Sequence, residues 1–201
     1  MPAPPPRLPL RGVQAGFRRF TVAEYHKLIQ CGVLTEDDDL ELIDGYLVHK
    51  MSRNPPHDYS ILALNKRLLR LVPAGWEVRV QSALTLTASE PEPDFAVVRG
   101  TEADYRARHP AAADVGLVIE VADSSLDSDR ADKLWIYAEA GVPVYWIVNL
   151  VDRRAEVYER PSGSGAAPGY GTRTDYPVGS TVPVTLGGAA VGAIPVGDLI
   201  P

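Results

Sequence analysis

A single cysteine, Cys31, stands in a chain of 201 residues. That excludes an internal disulfide and any cysteine-based zinc cage, so a hydrophobic core has to hold the fold. Long apolar runs are lacking too: the longest strongly apolar stretch, Val142 to Val148, is far too short to cross a bilayer. The opening MPAPPPRLPL has no unbroken apolar region of the kind a secretory signal needs, and a cytoplasmic location without membrane partners is expected. Positive charge is scarce, with 20 Lys and Arg against 26 Asp and Glu and a net charge of −6. Four of the 20 (Arg7, Arg11, Arg18, Arg19) lie in residues 1–19, where no acid occurs, so the remainder sets 16 against 26, a charge of −10. A body this acidic is a poor general binder of nucleic acid, because such affinity comes from basic groups that displace counterions. It can still admit a polyanion where divalent cations neutralise a cluster of carboxylates. No helix-turn-helix pattern, zinc-ligand set or surface of interleaved aromatic and basic residues is legible.

What is present is an ordinary globular composition, 45% hydrophobic and 23% charged. One domain over residues 17–201 is expected, after a Pro/Arg/Gly-rich arm over residues 1–16 expected to be disordered. Thr21 with Glu24 forms a capping-box pattern that opens a helix to about Cys31. Leu40 to Met51 reads as a hairpin around the turn dipeptide Asp44-Gly45. From His57 to Val72 the period is helical, with Ile61, Leu64, Leu68 and Leu71 on one face. Trp76 to Thr87 alternates as one or two strands, and Asp94 to Val98 is another. Val115 to Val121 is apolar throughout, as a strand covered on both faces must be. A helix follows over about Asp129 to Ala140, then strands over Val144 to Leu150 and Ala155 to Arg160. Pro161 to Thr172 reads as a flexible loop, and the tail from Thr181 has only weak strand character. The order predicts a mixed α/β fold whose last two core strands are joined by a helical crossover.

Two carboxylates fall where carboxylates are costly. Glu120 sits between Ile119 and Val121 in the apolar strand, and Asp94 opens a strand directly after Pro93. A lone buried carboxylate costs several kcal/mol unless a metal or a partner compensates it. Each can be read alone as a solvent-turned strand end or half of a structural ion pair. Lys133 shares a helix face with Asp129, Ile136, Tyr137 and Ala140, which turns its stem toward the sheet. It reads either as a lysine paired with Asp129 one turn away or as an ammonium beside Asp94 and Glu120. In the second reading the carboxylates hold Mg²⁺ or Mn²⁺, the Val121 carbonyl is a candidate backbone ligand, and Lys133 positions a water. That arrangement suits phosphodiester hydrolysis.

The strings PEPDFAVV and LVIEVADSSLDSDRADKLWIYAEAGVPVYWIVN resemble the Uma-type restriction-endonuclease family, within the PD-(D/E)XK nuclease superfamily. The resemblance covers about residues 18–160, and its most specific part is the run Leu117 to Asn149. It implies a restriction-endonuclease-like mixed β-sheet core flanked by helices, with an added N-terminal hairpin and C-terminal strands. It also implies a metal-dependent endonuclease acting on nucleic acid, DNA in the first instance, and a fold that commonly forms homodimers. Pro93-Asp94 matches the family's first element and Glu120 its second. Ala122 stands two residues after Glu120, where the superfamily pattern has lysine, which makes Lys133 on the following helix the counterpart. The likeness makes Glu41 an upstream acid able to support a metal and Gln81 a polar group lining the site. Tyr46 stands where many relatives have a second acid.

Some residues keep two readings. Glu41 follows Glu36, Asp37, Asp38 and Asp39 and can equally be part of a solvated acidic run. His57 lies on the inward stripe of its helix, either as a core or capping histidine or as a group near the metal. Asp123, Asp127 and Asp129 read as helix caps or as cation binders. Arg79 and the Lys66, Arg67, Arg70 helix face are the body's candidates for phosphate contact. Trp76, Trp135 and Trp146 are assigned to the core. Two other functions fit parts of the pattern: a non-catalytic interaction module that keeps the fold, and an unrelated metal hydrolase acting on small phosphoesters.

Overall fold

The computed structural model describes residues 17–51, 53–165 and 167–201. The arm expected over residues 1–16 lies outside the described residues.

Helix α1 (Val22–Gln30) opens with the expected capping box. Thr21 Oγ1 accepts from the Glu24 amide at 3.2 Å, and Glu24 Oε2 accepts from the Thr21 amide at 3.0 Å. Strands β1 (Leu40–Ile43) and β2 (Tyr46–His49) pair antiparallel across Asp44 and Gly45, whose φ values of 47° and 79° are the two left-handed conformations of a tight hairpin turn. Helix α2 (Pro55–Leu71) is capped by Asn54, whose side chain accepts from the His57 amide at 3.1 Å. Leu64 and Leu68 on α2 are fully buried, whereas Leu62 and Leu69 face outward.

Six strands form the central sheet in spatial order β3 (Trp76–Val80), β4 (Phe95–Arg99), β5 (Val115–Ala122), β6 (Val144–Asn149), β7 (Arg154–Pro161) and β8 (Tyr170–Pro177). Strands β5 and β6 run parallel and the other neighbours antiparallel. A parallel pair needs a crossover, supplied here by a helical segment of three parts. These are α3 (Leu126–Ser128), a π-helical turn (Asp129–Lys133) and α4 (Leu134–Glu139). Strands β9 (Thr181–Leu186) and β10 (Ala189–Pro195) form a separate hairpin.

Each face of the sheet has its own core. Leu117, Ile119 and Val121 of β5 pack with α2, β9 and β10, while Val118 and Ala122 pack with Leu126, Ile136 and Tyr137 of the crossover. Strand alternation therefore turns Glu120 toward the crossover. The register Phe95↔Ile119 puts Asp94 opposite it, at the mouth of the sheet. Gly116 is needed where it stands, because an added Cβ would run into the Trp76 ring.

The structure departs from the sequence expectations in five places. Of the one or two strands expected over Trp76 to Thr87, only β3 forms, and it ends at Val80. The loop expected over Pro161–Thr172 narrows to residues 162–169, since Pro161 and Tyr170 already pair. Strand β8 went unread because an edge strand of sequence YGTRTDYP lacks apolar alternation. The weak tail is an ordered hairpin that buries Val182, Val184, Leu186 and Ile194 in the core. The crossover helix begins before Asp129, at Leu126, and is interrupted by the π turn. Of the three tryptophans, Trp146 is fully buried, while Trp76 and Trp135 are half-buried at the core's margin.

Candidate active site

Glu41, His57, Gln81, Asp94, Glu120, Val121, Asp129 and Lys133 line one small cleft of about 130 Å³. The cleft lies where the ends of β4 and β5 meet β1, the start of α2 and the π turn.

Asp94 and Glu120 are locked to each other's strand. The Asp94 amide donates to Glu120 Oε2 at 3.1 Å, and the Val121 amide donates to Asp94 Oδ2 at 2.8 Å. His57 Nε2 lies 3.1 Å from Asp94 Oδ2, and Gln81 Nε2 donates to Asp94 Oδ1 at 3.3 Å. Gln81 itself has a φ of 47°, an unusual backbone for a residue with a Cβ, and its amide donates to the Asp94 carbonyl at 3.1 Å. The hydrogen bond to Asp94 raises the His57 pKa against the opposing effect of burial. His57 Nδ1 is buried without a hydrogen-bond partner. Of its two readings, His57 thus takes a place in the cleft.

Lys133 sits among the carboxylates. Its ammonium is 2.8 Å from Glu41 and 3.6 Å from Glu120 Oε1, with all three residues buried. Among the described residues it makes no ion pair with Asp94 or Asp129, so neither the expected Asp94 contact nor the pairing one turn away is its arrangement. Burial pulls its pKa down, but the charges of Glu120 and Glu41 outweigh that and the net shift is upward. Glu41 has left the solvated acidic run: Glu36 to Asp38 form an exposed short helical turn, whereas Glu41 lies on β1 and also accepts from the Glu92 amide at 3.0 Å.

Glu120 carries the largest electrostatic burden. Burial pushes its pKa up to about 8, opposed by Lys133 and reinforced by Asp129, Asp94 and Glu41. The Tyr137 hydroxyl donates to its Oε1 at 2.9 Å. Asp129 is raised to about 6, chiefly by burial. It accepts from Ser125 Oγ at 2.7 Å and is buried in the cleft wall, so it is more than a helix cap. Of its two readings, cap or cation binder, Asp129 thus takes a place in the cleft, while the sequence reading gives no role to Tyr137, on the same inward stripe as Lys133.

On the far side of the π turn, Arg130 Nε donates to Glu156 Oε2 at 3.1 Å, and its guanidinium also holds Asp152. Glu156 is fully buried on β7 and further accepts from Asn149 Nδ2 and Tyr158 OH, each at 2.7 Å. Asn54 Nδ2 donates to Asp123 Oδ2 at 2.5 Å, which ties the start of α2 to the end of β5 and so fixes where His57 enters.

The donor set fits a hard divalent cation. It consists of carboxylate oxygens, and four largely buried carboxylates face one buried ammonium. Among the described residues, however, no three His, Cys, Asp or Glu side chains already stand as a metal cage. No described helix is long and apolar enough to cross a membrane.

A family profile described as putative restriction endonuclease, Uma2, matches residues 22–189. The chain belongs to this family. A crystal structure described as a putative nuclease belonging to DUF820 from Anabaena variabilis has the same fold, with a TM-score of 0.62 at 13% identity. The match covers 90% of this chain and 97% of that one. No curated protein sequence matches the chain.

Proposed function

We propose that this protein is a Mg²⁺- or Mn²⁺-dependent endonuclease that hydrolyses phosphodiester bonds in DNA. The observation that carries the reading is the excess of carboxylates in the cleft, where Glu41, Glu92, Asp94, Glu120 and Asp129 outnumber the cations Lys50, Arg53 and Lys133 and their crowding helps push Glu120 up to about 8. A cation between carboxylates relieves that excess, and it is also what a phosphodiester needs to approach them. Asp94 and Glu120 are the residues to hold it, with the Val121 carbonyl and Glu41 as further oxygen donors. When bound, the cation supplies neutralising charge at the phosphoryl oxygens.

The chain's own residues do the positioning. Lys133, kept protonated by Glu41 and Glu120, is no base. It orients the attacking water and stabilises the negative charge that builds as water adds to phosphorus and one ester bond breaks. His57 and Gln81 hold the two oxygens of Asp94, and Tyr137 holds Glu120.

A second reading, the non-catalytic interaction module, is favoured by one observation: the Lys133 ammonium already pairs with two of the carboxylates. Thermal unfolding with and without Mg²⁺ or Mn²⁺ separates the two. At ~100 times its dissociation constant a cation adds about 2.7 kcal/mol to the folded state. The shift is expected in the wild type and lost in Asp94→Asn, as is metal-dependent cleavage of DNA, with the far-ultraviolet circular dichroism unchanged. Full activity in Asp94→Asn, or no shift in the wild type at millimolar metal, overturns the assignment.

A further inference from the structure

The described surface has a second, larger depression of about 710 Å³ beside the acidic cleft, lined by Arg79, Tyr105, Arg106, Arg108, His26 and His109 among others. A smaller hollow joins the two. It shares Gln81 and Glu92 with the acidic cleft, and Arg79, Glu90 and His109 with the basic depression. The result is a continuous trough from Asp94 to Tyr105. Arg79 lies on β3 and Gln81 follows one residue beyond the strand's end, and both line the joining hollow. The side chain that reaches Asp94 and the first arginine of the trough are therefore neighbours.

The charges in the trough divide into matched and unmatched groups. Glu90 is held by His26 at 2.7 Å and by Thr85 at 2.9 Å, Glu92 by Lys50 at 2.9 Å, and Arg108 by Asp114 at 2.6 Å. Among the described residues, Arg79 and Arg106 have no acidic partner, in a chain of net charge −6. Arg79 Nε is, in addition, buried with no hydrogen-bond partner. Tyr105 acts as a brace: its hydroxyl donates to the Arg99 carbonyl, and the guanidinium carbons of Arg79 and Arg108 lie 5.6 and 5.1 Å from its ring centre. Stacking thus holds Arg79 in place with its Nε donor free, whereas Arg108 is also committed to Asp114. An unmatched guanidinium with an unfilled buried donor is a phosphate site in waiting.

We infer that this trough, through Arg79 and Arg106, holds the backbone phosphates of the nucleic-acid strand whose scissile bond lies in the acidic cleft. The inference rests on the nuclease reading, and names how an acidic protein retains a polyanion before any cation is bound. Two phosphate contacts predict a definite salt dependence, about 1.4 in the slope of log affinity against log salt for a single strand and about 1.8 for a duplex.

The test is fluorescence anisotropy of a labelled single strand, and of its duplex, titrated with the full chain in EDTA over a KCl series. Arg79→Gln with Arg106→Gln is expected to weaken binding at least tenfold and to reduce the salt slope by those amounts, with the thermal midpoint unchanged. Lys66→Gln with Arg70→Gln, on the other basic face, is expected to bind as wild type. The trough assignment falls if the Arg79 and Arg106 variant binds with wild-type affinity and slope, or if wild type binds neither probe. It also falls if inorganic phosphate competes as well as the oligonucleotide at equal phosphate, which would make this a small-anion site. Trough-dependent binding without metal-dependent cleavage keeps the trough and removes the nuclease. Metal-dependent cleavage that the double variant leaves intact below saturation does the reverse.

Discussion

Lys133 lies between two buried carboxylates, and losing its charge is costlier than losing an ordinary surface lysine. Lys133→Met leaves Glu41 buried without its ammonium and pushes Glu120 further up from about 8, and breaking a buried pair in this way costs about 3–5 kcal/mol. Urea unfolding should show that loss near neutral pH, and adding Glu41→Gln should recover part of it. Glu156 behaves oppositely in pH. Burial raises its pKa, but the hydrogen bonds from Arg130, Asn149 and Tyr158 together outweigh burial, and the net shift is downward from 4.5. Its stabilisation is therefore complete above pH 4.5 and disappears as the pH falls through the lower folded value. Glu156→Gln should cost about 3 kcal/mol at neutral pH, and acid titration of thermal midpoints should show variant and wild type converging below pH 4.5. Residues of both kinds were legible to different degrees. Glu120 and Lys133 announce themselves because a charge interrupts an apolar strand or an inward helical stripe. Glu156 and Arg130 do not, since their partners are distant in sequence and nothing local distinguishes them from a surface pair.

Among the elements, the start of α2 matters beyond its own stability. Asn54 caps the helix through its oxygen and reaches Asp123 through its nitrogen, so one side chain fixes both the helix and the approach of His57 to Asp94. Asn54→Ala should cost about 1 kcal/mol or somewhat more in chemical denaturation. In a nitrogen-15 titration it should also move the His57 pKa back toward its ordinary value, because the bond to Asp94 loosens. The elements that sequence periodicity locates well (α1, the β1–β2 hairpin, α2, β5 and β6) are those with capping chemistry, a glycine turn or an unbroken apolar pattern. The π turn was invisible. Its five residues, DRADK, carry ordinary helical propensity, and its side chains find partners far away in sequence, Lys133 with the carboxylates inside and Arg130 with Glu156 outside.

For the whole molecule, the C-terminal hairpin is part of the core and no appendage. Val182, Val184, Leu186, Ile194, Val196 and Leu199 are buried against the sheet and α2. At about 1.5–3 kcal/mol for each buried aliphatic side chain, removing residues 178–201 forfeits about 9–18 kcal/mol, as much as the 5–15 kcal/mol that typically stabilise a domain. Calorimetry of such a truncation should show no cooperative transition. The tail's strand character is weak in sequence because its valines are separated by Pro, Gly and Thr, and only packing reveals them as core. The contact between Glu41 and Lys133 also sets an order of events, because 92 residues separate the two in the chain. A growing polypeptide that has emerged only as far as β5 can bring Asp94 and Glu120 side by side, but it has no ammonium to place between Glu120 and Glu41. The cleft is assembled only when the crossover closes over a hairpin made much earlier, so a chain that stops after β5 carries the acids of the cleft without its lysine.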